Sequence, residues 1–247
     1  MTEQYILSSL DHALQIMELF FVREELTAAE AARELGISRT AAFRMLCTLE
    51  GRGFVTRTAD GPWRLGVKLF SLGQLASRRM VLSGSVRPLL ARVAEETGET
   101  AHLAVPDGPY HIVFADKVLG RRSLKMDTAL GERRWAHQTA TGKMLLSLQP
   151  RESWEQYARA ADFRALTPNT LTSPAALFAE LEITRERGWA IDNEEAEEGL
   201  TCFALPLIDR SGAAVAAISC SGPATRMTRR MEANLAVLRA AAKSVPL

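Results

Sequence analysis

A chain of 247 residues is longer than one average domain and has room for one large or two modest ones. Its hydrophobic fraction of 47% and charged fraction of 24% are ordinary for a globular protein, and no apolar run approaches the ~18–20 residues that cross a bilayer. The opening MTEQYILSSLDH has no basic stretch followed by an apolar one, so no secretory leader is expected. Cys47, Cys202 and Cys220 are odd in number and far apart. They form no disulfide framework and suit a reducing cytoplasm, the expected location, with no membrane partner.

The net charge of +1 hides a division along the chain: residues 1–35 carry a net −5, residues 36–80 a net +6, and residues 81–247 are neutral. The cations of the middle block are Arg39, Arg44, Arg52, Arg57, Arg64, Lys68, Arg78 and Arg79. A basic stretch beside a neutral remainder is the footprint of a phosphate-facing surface, and it says more about nucleic-acid binding than the overall isoelectric point does.

In chain order, apolar residues at 10, 13, 14, 17 and 20–21 follow the helical period, with Ser9 placed to cap the helix. Thr27-Ala28-Ala29-Glu30 reads as a capping box that opens a short helix through Ala31, Ala32 and Leu35, ended by Gly36. Ile37 fills the core, Ser38 caps again, and a third helix is expected from about Arg39 to Glu50 with Ala42, Met45, Leu46 and Leu49 inward. A short helix, a glycine turn and a capped helix make a helix-turn-helix. The same period leaves Arg39, Thr40, Phe43 and Arg44 outward at the start of the third helix, where arginine suits either a guanine edge or a phosphate. The stretches Phe54–Thr58 and Trp63–Gly66, on either side of Ala59-Asp60-Gly61-Pro62, read as a hairpin wing that carries Arg57 and Arg64 toward the DNA backbone or minor groove. The candidate DNA contacts are therefore Thr27, Ser38, Arg39, Thr40, Phe43, Arg44, Arg57 and Arg64.

These residues, with others farther on, resemble the IclR-type bacterial transcriptional regulators. The likeness rests on SLDHAL from Ser9, EAARELGI from Glu30, LCTLEGRGFV from Leu46 and WRLG from Trp63. It continues through ETGETAHLAV from Glu96, TATGK from Thr139, LTPNT from Leu166, RERGWAIDNEE from Arg185, EGLTC from Glu198 and AISCSGP from Ala217. The resemblance implies a winged-helix domain, a connecting helix and an effector domain with a GAF-like curved antiparallel sheet. It also implies dimers or dimers of dimers on palindromic double-stranded operators. Ala41 and Phe43 depart from the Thr and His frequent in the family. Phe43 packs either on a thymine methyl or in the core, so no operator sequence carries over.

The segment Val67–Ala76 stays apolar at helical spacing, either as a dimer-forming helix or as one buried against its own domain. A helix is expected from Ser83 to Gly98, then strands Thr100–Val105 and His111–Ala115. Helices follow after Thr139 and at Ser153–Ala160 and Pro174–Arg187, then strands at Ala190–Asp192, Cys202–Ile208 and Val215–Cys220, and a last helix begins near Thr228. The class is α+β, with a winged domain at 1–66, a linker helix at 67–82 and an effector domain at 83–247.

On the strand at Ala217–Ser221, Ser219 and Ser221 share one face while Cys220 takes the other, so two hydroxyls can donate to a carboxylate. Helix amides near Ala140, Thr141 and Gly142 offer a second anion cradle, and Asp192 suits a ligand hydroxyl or protonated group. The resemblance puts the effector pocket at Met126, Ala140, Thr141, Asp192, Cys202, Ser219 and Ser221, with a small organic acid as the ligand. Met126, Trp135 and Met144 either shape its apolar side or belong to the core. The acidic run from Asp192 to Glu198 reads as a solvated loop.

No catalytic constellation stands out. Gly142-Lys143 resembles the end of a phosphate loop, but His137 stands where glycine is required and Met144 where Ser/Thr binds the metal. No G-x-S-x-G elbow occurs. Cys202 with Asp192 and His102, His111 or His137 has the residue types of a thiol nucleophile set, but a buried structural cysteine is far commoner. The spacing of Cys202, Asp192 and His102 forms no recognised metal site. No cofactor, metal or enzymatic activity is expected.

Overall fold

The computed structural model describes residues 5–57, 61–79 and 86–244. These form two compact units, Met1–Met80 and Val81–Leu247. The expected wing turn at Ala59 and Asp60 and the expected helix start at Ser83 lie outside the described residues.

In the first unit, helix α1 spans Ser8–Glu18. Leu7, not Ser9, occupies its N-cap position: the Leu7 carbonyl accepts from the amides of Leu10 and Asp11, and no side chain caps the helix. Ile16 and, in the single turn that follows, Phe20 are the residues that reach the core, while Leu10 and Leu14 stay 56% and 55% exposed. The buried face is thus rotated from the expected one. Helix α2, Ala28–Leu35, opens with a complete capping box: Thr27 Oγ1 accepts from the Glu30 amide and the Glu30 carboxylate accepts from the Thr27 amide. Gly36 closes it at φ +65°, a left-handed conformation in which a side chain would strain the backbone.

Helix α3, Arg39–Gly51, is capped by the Ser38 hydroxyl and buries Ala42 and Leu46 against α1 and α2. The wing follows as strands β1, Val55–Arg57, and β2, Trp63–Leu65, paired antiparallel with Arg57 opposite Trp63. Trp63 fastens the unit together. Its backbone exchanges two 2.9 Å hydrogen bonds with Leu26, before α2, and its buried indole donates to Glu50 of α3 at 3.0 Å. Helix α4, Val67–Arg79, completes the unit.

The second unit is built on one antiparallel sheet in the order β5-β4-β3-β8-β7-β6. Its strands are β3 (Thr100–Asp107), β4 (His111–Val118), β5 (Arg133–Trp135), β6 (Ala190–Asn193), β7 (Leu200–Ile208) and β8 (Ala214–Pro223). Alternation along each strand sorts the side chains. Leu103, Phe203, Leu205, Ile218 and Cys220 face helices α5 (Val86–Thr97) and α10 (Met231–Lys243). Ala104, Phe114, Ala204 and Ala217 face helix α6 (Ala140–Ser147), which is buried along its whole length. Helices α7 (Arg151–Ala160) and α8 (Pro174–Arg187) cover α6 through Trp154, Tyr157, Leu177 and Leu181, and α9 (Ala224–Arg229) precedes α10.

The mixed architecture agrees with the α+β expectation. Strand β5 was not foreseen, because Arg133-Arg134-Trp135 has no apolar alternation and lies at an edge. The terminal helix is two, divided at Arg230.

Replacing Trp63 with Ala removes the filling and the polar anchor of the wing at once. Urea unfolding followed by circular dichroism should show the DNA-domain transition weakened by about 3–5 kcal/mol.

Candidate functional site

Two surfaces carry functional groups, one in each unit. On α3 the Ser38 cap starts the helix so that Arg39, Thr40, Phe43 and Arg44 fall on its exposed side. The acidic stretch before it is largely occupied with neighbours: Arg23 pairs with Glu30 and Glu34, Arg33 with Glu34, and Arg64 with Glu25. Among the described residues no carboxylate lies within ion-pair reach of Arg39 or Arg44, so both charges are free. Phe43 is neither core nor wholly free. It is 43% exposed and meets Trp63 edge-on, with centroids 5.7 Å apart.

The other candidates have internal partners. The Thr27 hydroxyl and amide are engaged by Glu30, Arg57 lies 4.5 Å over the Trp63 ring and donates to the Gly61 carbonyl, and Arg64 is held by Glu25. Lys68 donates to the Arg52 carbonyl at the end of α3.

In the second unit a small cleft lies between the sheet and the start of α6. Met126, Ala140, Thr141, Asp192, Cys202, Ser219 and Ser221 all line it. The structure therefore brings the seven residues of the expected set to one place from five segments of the chain. Register explains much of this: Asp192 is opposite Cys202, and Cys202 opposite Ser221, so the three lie in a row across β6, β7 and β8. Met144 and Trp135 do not line the cleft. Met144 packs beneath it with Ala140, Ala190 and Ala204, and Trp135 stacks on His111 at 4.1 Å.

Residues not foreseen complete the lining: Phe114, Thr128, Arg134 and Thr139, with Ala196 and Glu197 from the loop after β6 and Leu200 at the start of β7. The run from Asp192 to Glu198 is not simply solvated, because Asp192 and Glu195 are both buried. Leu200 and Ala196 carry an apolar signal, but nothing local places them over a cleft.

Helix α6 packs back on the single turn Ala136–Gln138 that precedes it because residue 142 is glycine; a Cβ there would collide with the Ala136 backbone. The Thr139 hydroxyl takes the Gly142 amide at 2.9 Å, and the amides of Ala140 and Thr141 have no preceding turn to bond. Across the cleft, Asp192 accepts from the amides of Glu195 and Ala196 at 2.8 and 3.3 Å. Burial, aided by the Glu195 charge, raises the Asp192 pKa to about 6 against the pull of Lys143 and those amides. Burial also pushes the Cys202 thiol far up, which keeps it protonated and unreactive. The buried His102 is held neutral, its pKa lowered to about 4. Among the described residues no three His, Cys, Asp or Glu side chains gather as metal ligands, and no helix is long and apolar enough to cross a membrane.

A capped recognition helix with free arginines, a wing, and a separate domain with a polar cleft define a DNA-binding regulator of transcription. Comparison with known proteins narrows the class. The profile described as "IclR helix-turn-helix domain" matches residues 9–59, and that described as "Bacterial transcriptional regulator IclR C-terminal" matches residues 74–247. The HTH-type transcriptional regulator BhcR of Paracoccus denitrificans is 36% identical over 89% of this chain and 79% of its own. The crystal structure of the Thermotoga maritima IclR is similar over 96% of both chains, with 34% identity and a TM-score of 0.70. An IclR homologue from Microbacterium hydrocarbonoxydans, complexed with 4-hydroxybenzoate, aligns with 25% identity and a TM-score of 0.82 over 95% of this chain and 96% of its own. This chain belongs to the IclR family of transcriptional regulators.

A carboxyl whose pKa rises from 3.8 in the open chain to about 6 in the fold binds its proton more tightly when folded. Its contribution to stability is therefore greatest below pH 4 and is lost as pH climbs through 6. Replacing Asp192 with Asn should raise stability by on the order of 2–3 kcal/mol at pH 8 and change it little at pH 4, read from thermal or urea unfolding at the two pH values.

Proposed function

We propose that this regulator binds a palindromic operator as a dimer or dimer of dimers and that a small organic acid in the cleft modulates that binding. The observation that carries the reading is the composition of the cleft. The serine hydroxyls of β8 and the first amides of α6 supply donors for a carboxylate, and Asp192 supplies an acceptor for a hydroxyl. Phe114, Met126 and Leu200 give an apolar side that suits a carbon skeleton from a keto acid to an aromatic acid. The relative bound to 4-hydroxybenzoate makes that acid a natural first member of a ligand screen.

On the DNA side, Arg39, Thr40, Phe43 and Arg44 enter the major groove, and Ser38 and Thr27 serve at the helix starts beside the phosphates. Arg57 and Arg64 flank the groove from the wing, with Arg64 exchanging Glu25 for a phosphate. Functionally the chain divides into the winged domain at 1–66, a linker helix at 67–82 and the effector domain at 83–247, acting in the cytoplasm without a cofactor or catalytic step. The exposed Val67, Phe70, Leu72 and Leu75 of α4 favour the dimer-forming role for the linker over burial in its own domain. The acid acts by linkage: it binds one arrangement of the dimer better than another, and α4 passes that preference to the spacing of the recognition helices.

Operator DNA obtained by selection with the wild-type protein serves the test. In fluorescence anisotropy, Arg44→Ala should weaken binding by about 1–3 kcal/mol. Arg159→Ala, an exposed control in α7, should leave binding unchanged, and equal effects would refute the assignment.

In a thermal-shift series with pyruvate, lactate, benzoate and 4-hydroxybenzoate, at least one acid should raise the melting temperature of the wild type but not that of Ser219→Ala.

A further inference from the structure

Lys143 has no contact with the cleft and no place on the DNA surface, yet it is the most deeply buried cation described. It lies in mid-α6, fully enclosed, with its ammonium held by both carboxylate oxygens of Glu195 at 2.5 and 2.6 Å. Glu180 of α8, itself paired with Arg187, is 3.9 Å away. An enclosed ion pair of this kind adds little net stability, because two charges must be stripped of water and an apolar pair of similar volume does as well. Its presence calls for another reason.

The place of Glu195 supplies one. It belongs to the loop between β6 and β7, and the next residues of that loop, Ala196 and Glu197, form a wall of the cleft with Leu200. Its own amide and that of Ala196 are the donors that hold the Asp192 carboxylate. Its side chain also accepts from the Asn193 amide at 3.3 Å. From outside, the hydroxyls of Thr167 and Thr170 donate to the carbonyls of Glu194 and Glu195 at 2.7 Å each. Glu194 sits at φ +60°, the one non-glycine residue with a left-handed backbone among those described. A conformation so disfavoured persists only where its surroundings fix it.

We propose that Lys143 and Glu195 form a latch that ties this loop to α6 and thereby aims Asp192 across the cleft at the α6 N-terminus. Both are positioning residues. They set the distance between the carboxylate end and the hydroxyl end of the ligand site, an inference that rests on reading the cleft as a site for organic acids.

The test replaces both charges together, Lys143→Met with Glu195→Leu, so that neither is left buried alone. Melting temperature, amide hydrogen exchange and acid affinity are then measured on the full chain. The latch predicts a melting temperature close to that of the wild type, exchange of the residue 195 and 196 amides about tenfold faster, and about ten- to a hundredfold weaker binding of whichever acid from the series above the wild type binds. Wild-type protection of those amides in a stable double variant overturns it, because the pair is then only packing. Glu195→Gln, which keeps the shape and one acceptor, is the second variant should the first not fold, and it should accelerate the same two amides. Unprotected amides in the wild-type protein overturn the latch without any variant. If none of the acids binds the wild type, the ligand reading fails while amide exchange still decides the latch.

Discussion

Helix α6 has no solvent face. All eight of its residues are buried, packed between the sheet on one side and α7 and α8 on the other. A segment so placed must satisfy every polar group internally. The Thr139 hydroxyl bonds the Gly142 amide, Ser147 turns its hydroxyl back to the Met144 carbonyl, and Lys143 finds Glu195. What remains unsatisfied is the helix start, and the cleft opens there. The cleft is thus the place where the packing of α6 runs out.

The two units solve the problem of holding a reactive surface steady by different means. In the first, an aromatic hub does it. Trp63 ties the wing to Glu50 and to the strand-like bridge at Leu26, while Phe43 and Arg57 lean on its ring. In the second, charge does it, through carboxylates buried against cations: Glu195 against Lys143, and Glu99 held at 2.8 Å by two nitrogens of Arg226. Arg226 also reaches the Leu124 carbonyl, which steadies the segment leading to Met126. Hydrophobic hubs suit a surface that must keep its shape against DNA. Ion pairs between distant segments suit a cleft whose walls come from several parts of the chain.

Local signals were the legible ones. The capping box at Thr27 and Glu30, the glycine stop at Gly36, the cap at Ser38 and the alternation that separates Ser219 and Ser221 from Cys220 each act within four residues, and the chain carries them openly. The limits appear where partners are remote. Lys143 and Glu195 are 52 residues apart, and each alone resembles something else, a phosphate loop or a solvated acidic run. Only their meeting buries both. The buried face of α1 is hidden in the sequence for a related reason: its leucines and its core residues are equally apolar, and packing on α2 and α3 selects Ile16 and Phe20 over Leu10 and Leu14. The edge strand β5 has no inward-outward code to read, because its three residues are stabilised by pairing with β4.

The hub of the first unit has an optical side. Trp63 is the only tryptophan before residue 80; the other three, Trp135, Trp154 and Trp189, belong to the second unit. Its indole touches Phe43, which borders the exposed face of the recognition helix, and lies beneath the guanidinium of Arg57 on the wing. Whatever displaces either side chain changes the field and the quenching around that one ring. With the other three tryptophans replaced by phenylalanine, the chain would carry a built-in fluorophore for the state of its own recognition surface, set one side chain away from it and needing no attached dye.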